Sequence, residues 1–115
     1  MHKRKVGRTF SRKRDVRRAF LRSLARAFVL HGRIATTDAR ARELRPFVER
    51  LVTHAKKGTL ASRRFLIAQL GKSATGTFTV MVNEKYGDRR GGYTRVIKHM
   101  PRKSDGARLA IIEFV

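Results

Sequence analysis

The feature that most constrains the fold is a helical pattern that divides residues 15–31 into an apolar side and a basic side. Apolar residues recur at every fourth position, and Gly32 stands where the helix is expected to stop. Arginines recur at the same interval but two positions away, which places them about 200° around the helix from the apolar row. The pattern predicts one face toward a core and the other lined with guanidinium groups. The apolar row is Val16, Phe20, Leu24 and Phe28, and the basic row is Arg14, Arg18, Arg22 and Arg26.

The basic row belongs to a chain whose net charge points to a polyanionic partner. Its 115 residues, enough for one domain, include 29 Lys and Arg against 8 Asp and Glu, a formal charge of +21. Arg outnumbers Lys by 20 to 9, and a guanidinium can bind a phosphate through two parallel hydrogen bonds and stack on a base. An anionic membrane fits less well, because the apolar runs are short and interrupted by Arg. RNA or DNA is the expected partner.

The first 14 residues, MHKRKVGRTFSRKR, are rich in Lys and Arg and contain no acid. Only Val6 and Phe10 could be buried, which is too little to offset the entropy of ordering a fixed fold. We therefore predict a basic arm over residues 1–14 that orders on an RNA surface, with a solvated tail or a localisation signal as the alternative. Residues 15–115 are predicted to form a single globular domain, since no linker or internal repeat divides them.

A second helix is predicted from about residue 38 to residue 57. Thr36 or Thr37 can cap its start, and Gly58 follows its end. Pro46 lies inside it and breaks the hydrogen-bond ladder, so we expect a kink there or two abutting helices. The residues predicted to be buried are Ala41, Leu44, Val48, Leu51, Val52 and Ala55.

A third helix is predicted over residues 60–70, with Phe65, Leu66 and Leu70 as its apolar residues. The segment that follows, residues 75–84, is ambiguous. Its alternating threonines favour a strand, whereas apolar residues at intervals of four favour a helix, and the local pattern leaves both open.

Three short segments are predicted to form strands. Residues 33–37 are rich in β-branched side chains, residues 93–100 alternate in polarity, and residues 108–115 are rich in Ile, Val and Phe. The Asp105-Gly106 pair between the last two is a turn signal. The end of the sequence is therefore predicted to be a β-hairpin.

The segment RRGGYTR, residues 89–95, could be a phosphate-binding loop of an enzyme or part of a nucleic-acid-binding surface. It matches neither G-x-x-x-x-G-K-[ST] nor G-x-G-x-x-G, and it leads into a strand rather than a helix, which argues against a mononucleotide loop. Two glycines would let the backbone approach a phosphate, the arginines would add charge-assisted contacts, and Tyr93 could stack on a base or donate a hydrogen bond. The glycines could also simply supply a turn with positive φ.

No pattern of catalytic or metal-ligating residues stands out. The chain has no Cys, and its four His are not at a metal-ligand spacing. The acids are dispersed, and the closest pairs can be explained as helix-surface partners of Arg or Lys. A small basic nuclease or RNA-modifying enzyme would need a paired acid and base, for which Glu84, Asp88 and His99 are the candidates.

The sequence resembles the bacterial large-subunit ribosomal protein L-seventeen family across nearly its whole length. The resemblance rests on five blocks in order, which are MHKRKVGR at the start, RRAFLRSLA at 17–25, RIATTDARARELRP at 33–46, RRGGYTR at 89–95 and the final AIIEFV. In a few places the sequence departs from the family pattern, as with Val16 in place of His and Ser23 in place of Asn.

The resemblance implies an α/β fold in which a small mixed three-stranded sheet, with strands at about 33–37, 93–100 and 108–115, packs against three to four helices. It implies a helix over residues 75–84, a basic N-terminal arm over residues 1–14, and a single globular rRNA-binding domain over residues 15–115. Within the cytoplasm, the expected role is that of a structural constituent of the large ribosomal subunit. The protein would bind 23S-type rRNA near the polypeptide exit tunnel.

The expected partners are large-subunit rRNA and neighbouring large-subunit ribosomal proteins, with no cofactor, metal, membrane, small-molecule substrate or catalytic role. A nucleoid-type protein that binds DNA without sequence specificity is the alternative, although no helix-turn-helix with a polar recognition face stands out. Charge and the matching motifs together give the predicted RNA contacts. They are His2, Lys3, Arg4, Lys5, Arg8, Arg12, Lys13 and Arg14 of the arm, Arg17, Arg18 and Arg22 of the first helix, Thr36 and Thr37 at the second-helix entry, and Arg89, Arg90, Gly91, Gly92, Tyr93, Thr94 and Arg95 of the turn.

Overall fold

A computed structural model describes residues 13–115, which form four helices and three strands. The predicted α/β architecture is confirmed for this part of the chain. The arm predicted over residues 1–14 lies outside the described residues except for its last two. The elements in chain order are α1 (Arg14–His31), β1 (Arg33–Thr37), α2 (Asp38–Lys57), α3 (Leu60–Leu70), α4 (Lys72–Tyr86), β2 (Thr94–Lys98) and β3 (Leu109–Phe114).

The three strands form one sheet in the order β1-β3-β2, and both neighbouring pairs are antiparallel. The expectation of a mixed sheet is wrong in this respect. Strands β1 and β2 run in the same direction, but β3 lies between them, so no parallel pair is hydrogen-bonded. The predicted hairpin of β2 and β3 is confirmed, and both strands are shorter at their ends than predicted.

Helix α1 contacts the core only through its C-terminal half. Its buried residues are Ala25, Phe28 and Val29, and Gly32 ends the helix in the left-handed region with a φ of 74°. Val16, predicted to face the core, is 53% exposed. The physical reason is its position in the first turn of α1, whose described residues are all outside the core, whereas the buried residues of the helix begin at Ala25.

Helix α2 buries all six apolar residues predicted for it. Thr37 caps its start, because its Oγ1 accepts a hydrogen bond from the Arg40 backbone N–H at 3.3 Å. The helix is continuous through Pro46, so the two abutting helices do not form. Pro46 and Arg42 are both on the exposed side, where water can bond the Arg42 carbonyl that the missing Pro46 N–H leaves free.

Helix α3 has the predicted bounds, but Phe65 is 38% exposed rather than in the core, with its ring stacked on His54 at 4.2 Å. The ambiguous segment is helical and forms part of α4. Its threonines fit a helix because their hydroxyls bond the preceding turn: Thr75 Oγ1 donates to Gly71 O at 2.7 Å, and Thr79 Oγ1 donates to Thr75 O at 2.8 Å.

The helices cover one face of the sheet. Phe114 of β3 is the main contact, since its ring stacks on Phe28 of α1 at 4.3 Å and lies within 6.4 Å of Phe78 and Tyr86 of α4. Ala110 and Ile112 of β3 point to the same face and are fully buried. Between residues 13 and 115, no helix combines the length and apolarity needed to cross a membrane.

Candidate nucleic-acid interface

The turn formed by residues 89–95 separates its residues into an exposed half and a buried half. Arg89, Arg90, Gly91 and Gly92 are exposed, whereas the two residues that follow are buried. Gly92 has a φ of 62°, which favours glycine, so the positive-φ role considered for the glycine pair is confirmed at this position. The exposed half therefore presents two arginines on a constrained turn.

Tyr93 belongs to the interior of the protein. Its side chain is 5% exposed, and its ring packs against Tyr86 with 5.2 Å between centroids. Its hydroxyl donates to the Arg89 backbone oxygen at 2.9 Å and accepts from Lys56 Nζ at 3.1 Å. Both the ring and the hydroxyl are thus engaged within the protein, and a direct contact of Tyr93 with RNA stays a prediction.

Thr94 is likewise internal, and Arg95 is on the outer face of the sheet. Thr94 is 1% exposed and its Oγ1 donates to Glu49 Oε1 at 3.3 Å, and its contact with RNA likewise stays a prediction. Arg95 Nε lies 2.7 Å from Glu113, and Arg33 of β1 lies 3.7 Å from the same carboxylate. Glu113 therefore sits between two arginines across the strands and neutralises part of their charge.

Tyr86 of α4 contacts the turn through both its ring and its hydroxyl. Its hydroxyl donates to the backbone oxygen of Val115 at 2.8 Å and lies 3.2 Å from that of Tyr93. Burial raises the pKa of the Tyr86 phenol, and the positive charge of Arg89 partly offsets this. Tyr86 was not among the predicted site residues. The only sequence feature that indicated its burial was its position in the row of apolar residues, spaced four apart, that favoured a helix in this part of the chain.

Lys56 of α2 also joins the turn, although sequence reasoning did not assign it there. Its Nζ donates to the Arg89 backbone oxygen as well as to Tyr93. Lys56, Lys57 and Arg90 line a cleft of about 340 Å³ beside Tyr93. Because Lys56 lies 33 positions from Arg89, no local pattern could have placed the two together.

The arginines of α1 differ in their surroundings. Arg14, Arg18 and Arg26 are exposed and have no acid partner among residues 13–115. Arg22 is partly buried, and its Nε donates to Gln69 Oε1 of α3 at 2.9 Å. Arg17 is half-buried. The predicted row is therefore a surface of three available guanidinium groups with one member tied to the fold.

The remaining predicted contacts divide between the helix entry and the arm. Thr37 caps α2 and Thr36 is half-buried in β1, so both have local structural roles. Lys13 is exposed immediately before α1. The other arm residues lie outside the described residues: His2, Lys3, Arg4, Lys5, Arg8 and Arg12.

The candidate catalytic residues do not converge. Asp88 precedes β2 and His99 follows it, so the two are separated by a strand of about 17 Å. Glu84 and Asp88 are exposed near the end of α4. In the described part of the chain, no three His, Asp or Glu residues are grouped so as to hold a metal ion.

A comparison with protein families identifies the chain. The family model for ribosomal protein L17 matches residues 20–115, from the second turn of α1 to the residue after β3. The chain belongs to the ribosomal protein L17 family. It is accordingly a protein of the large ribosomal subunit in the cytoplasm, within a family that is structural rather than enzymatic. The resemblance inferred from the sequence blocks is confirmed.

Proposed function

We propose that this L17-family protein binds large-subunit rRNA near the polypeptide exit tunnel, through its N-terminal segment, the exposed arginines of α1 and the exposed half of the turn at residues 89–92. In this proposal residues 1–14 act as a basic arm and residues 15–115 as one rRNA-binding domain. Neighbouring ribosomal proteins complete its surroundings.

The proposal rests on one observation, which is that three arginines of α1 are exposed and have no acid partner among residues 13–115. Arg14 and Arg18 are four residues apart, about 6 Å along the helix axis, and Arg26 is a further eight residues, about 12 Å, along the same row. Four acids are instead paired with arginines outside α1, as Asp38 is with Arg42 and Asp105 with Arg102. A row of unpaired guanidinium groups on a chain of charge +21 is suited to phosphates.

Salt dependence tests the electrostatic part of the proposal. Residues 1–22 hold ten Lys and Arg and one acid. If about eight phosphates are neutralised, the affinity for duplex RNA should fall with a log–log salt slope of about −7. A nearly flat dependence would contradict the proposal.

Sedimentation of the tagged full chain from a cell lysate, in low and in high salt, tests the assembly. Co-migration with the large subunit that survives high salt is the expected result. Migration at the top of the gradient, or with DNA, would reject rRNA binding and reopen the nucleoid and enzyme alternatives.

A further inference from the structure

A second basic cleft lies at the end of the sheet opposite the turn at residues 89–95. The cleft has a volume of about 380 Å³ and lies where α2 begins, β2 ends and β3 begins. Its cationic or protonatable side chains are Arg42, Lys98, His99 and Arg108. None of these four residues is among the RNA contacts predicted from the sequence, and His99 was considered only as a candidate catalytic residue.

The backbone around the cleft is held by hydrogen bonds between the elements that carry these side chains. The Asp38 N–H donates to the Arg108 oxygen at 2.8 Å, which ties the start of α2 to the residue before β3. The His99 N–H donates to the Leu109 oxygen at 2.9 Å, which extends the pairing of β2 with β3. The cations are thus attached to fixed backbone positions, which lowers the entropy lost when they bind an anion.

The charges in the cleft are unbalanced in favour of an anion. Asp38 is the acid that lines it, and Asp38 Oδ2 accepts from Arg42 Nε at 3.0 Å. This bond uses one edge of the guanidinium and leaves the terminal nitrogens of Arg42 available. Lys98 and Arg108 are exposed and have no acid partner among residues 13–115. With His99 neutral, three cations face one carboxylate.

His99 adds a donor in a defined orientation. Its Nδ1 accepts a hydrogen bond from the Met100 N–H at 2.7 Å. A neutral imidazole that accepts at Nδ1 carries its proton on Nε2, so Nε2 is a donor. No aromatic ring other than this imidazole lines the cleft, and the lining offers little with which to read a base. The chemistry of the cleft suits a phosphate and its sugar.

We propose that this cleft binds a backbone phosphate of rRNA, at a place separate from the surface formed by α1 and the turn at residues 89–92. The inference rests on the proposed function, since it takes rRNA as the ligand. Strand β2, about 17 Å long, separates the cleft from that turn, so no single phosphate can reach both sites. The sheet then acts as a spacer that fixes the distance between two parts of the rRNA.

The test compares three double variants of the full chain in binding to deproteinised large-subunit rRNA. The cleft variant is Lys98→Ala with Arg108→Ala, and the α1 variant is Arg14→Ala with Arg18→Ala. The matched control is Arg64→Ala with Lys72→Ala, which removes the same charge from exposed positions on α3 and α4. Equal thermal midpoints confirm that each variant is folded. Hydroxyl-radical footprints and salt slopes are measured for all three and for the unmodified chain.

The cleft variant should lose one discrete set of protected nucleotides and keep the set that the α1 variant loses. Its log–log salt slope should become less steep by about 1, because one phosphate contact is lost. The control should keep every protection. Addition of 10 mM inorganic phosphate should leave the cleft-dependent footprint in place, because a single free anion lacks the rest of the RNA contacts.

Two results would separate failure of this inference from failure of the proposed function. If the cleft variant keeps every protection and the full slope while the α1 variant loses its set, the cleft does not bind rRNA. If no variant changes the footprint or slope, the proposed α1 surface fails as well.

Discussion

The hydroxyl of Tyr86 donates a hydrogen bond of 2.8 Å to the backbone oxygen of Val115, which joins the end of α4 to the residue after β3. The same hydroxyl lies 3.2 Å from the oxygen of Tyr93, and the Val115 N–H donates to that oxygen at 2.9 Å. Three segments distant in sequence therefore meet at one buried phenol, directly beneath the arginines of the turn.

Replacement of Tyr86 by Phe should lower the free energy of unfolding by about 1–2 kcal/mol, because it removes a buried donor and leaves its acceptor unpaired. Urea denaturation would measure the loss. A change below about 0.3 kcal/mol would show that the hydroxyl does not stabilise this junction.

Tyr86 should also make stability depend on alkaline pH. Burial raises the pKa of this phenol above its usual value near 10, and Arg89 partly offsets the effect. Between the unfolded and the folded pKa, the unfolded state has lost the proton that the folded state keeps, so stability falls as pH rises through this window. The Tyr86→Phe variant should show a smaller decrease in unfolding free energy above pH 10 than the unmodified chain.

The hydroxyl of Tyr93 can be tested separately from its ring. Tyr93→Phe removes the acceptor for Lys56 and the donor to Arg89, so stability should fall by about 1 kcal/mol. The affinity for rRNA should change less than twofold, as measured by filter binding well below the unfolding midpoint. A large affinity loss at unchanged stability would instead mean that the hydroxyl contacts RNA.

The contrast between α2 and the turn shows how far the sequence predicts this structure. The buried residues of α2 could be predicted because one periodicity explains all of them, and Thr37 is a standard cap. The local sequence could not decide that α4 is a helix. Its threonine hydroxyls find hydrogen-bond acceptors only once the helix has formed, as Thr75 Oγ1 does at the Gly71 backbone oxygen. Tyr93 was placed on the surface because its partner Lys56 is 37 positions away.

The two adjacent glycines of the turn should respond differently to substitution. Gly92 has a φ of 62°, so Gly92→Ala should destabilise the protein by about 1–2 kcal/mol. Gly91 is not among the positive-φ glycines, and a Cβ there would meet nothing within 4 Å, so Gly91→Ala should cost less than about 0.5 kcal/mol. Thermal unfolding of both variants gives the comparison. If Gly91 lets RNA approach closely, Gly91→Ala will lower RNA affinity without lowering stability.

The hairpin connection between β2 and β3 contains an ion pair with a measurable titration. Arg102 donates two hydrogen bonds to Asp105, at 3.0 and 2.7 Å, and the Ala107 N–H donates a third. Hydrogen bonding by Arg102 is the largest cause that lowers the pKa of Asp105 to about 2. The stabilisation from this carboxylate is present above its unfolded pKa near 4 and is lost as pH falls through 2.

Arg102→Ala should therefore raise the pKa of Asp105 toward its ordinary value, leaving the smaller effects of the Ala107 and Asp105 backbone N–H groups. NMR titration of the Asp105 carboxyl carbon would measure the change. Lys103→Ala in the same connection is the control and should leave the titration where it is. A pKa that stays near 2 in Arg102→Ala would assign the shift to the backbone instead.

Two arginines one turn apart on α1 should have different roles. Arg18 is exposed and has no acid partner among residues 13–115. Arg18→Gln should therefore lower the affinity for rRNA and make the log–log salt slope less steep by about 1. It should change the stability of the fold little. Arg22 bonds Gln69 of α3 through Nε, so Arg22→Leu should cost about 1 kcal/mol of stability. Gln69→Leu should reproduce that stability loss without changing the salt slope, because it removes the same hydrogen bond but no charge. Equal effects of Arg18→Gln and Arg22→Leu on both quantities would mean that α1 presents one uniform charged face, and that the bond to α3 does not distinguish the two positions.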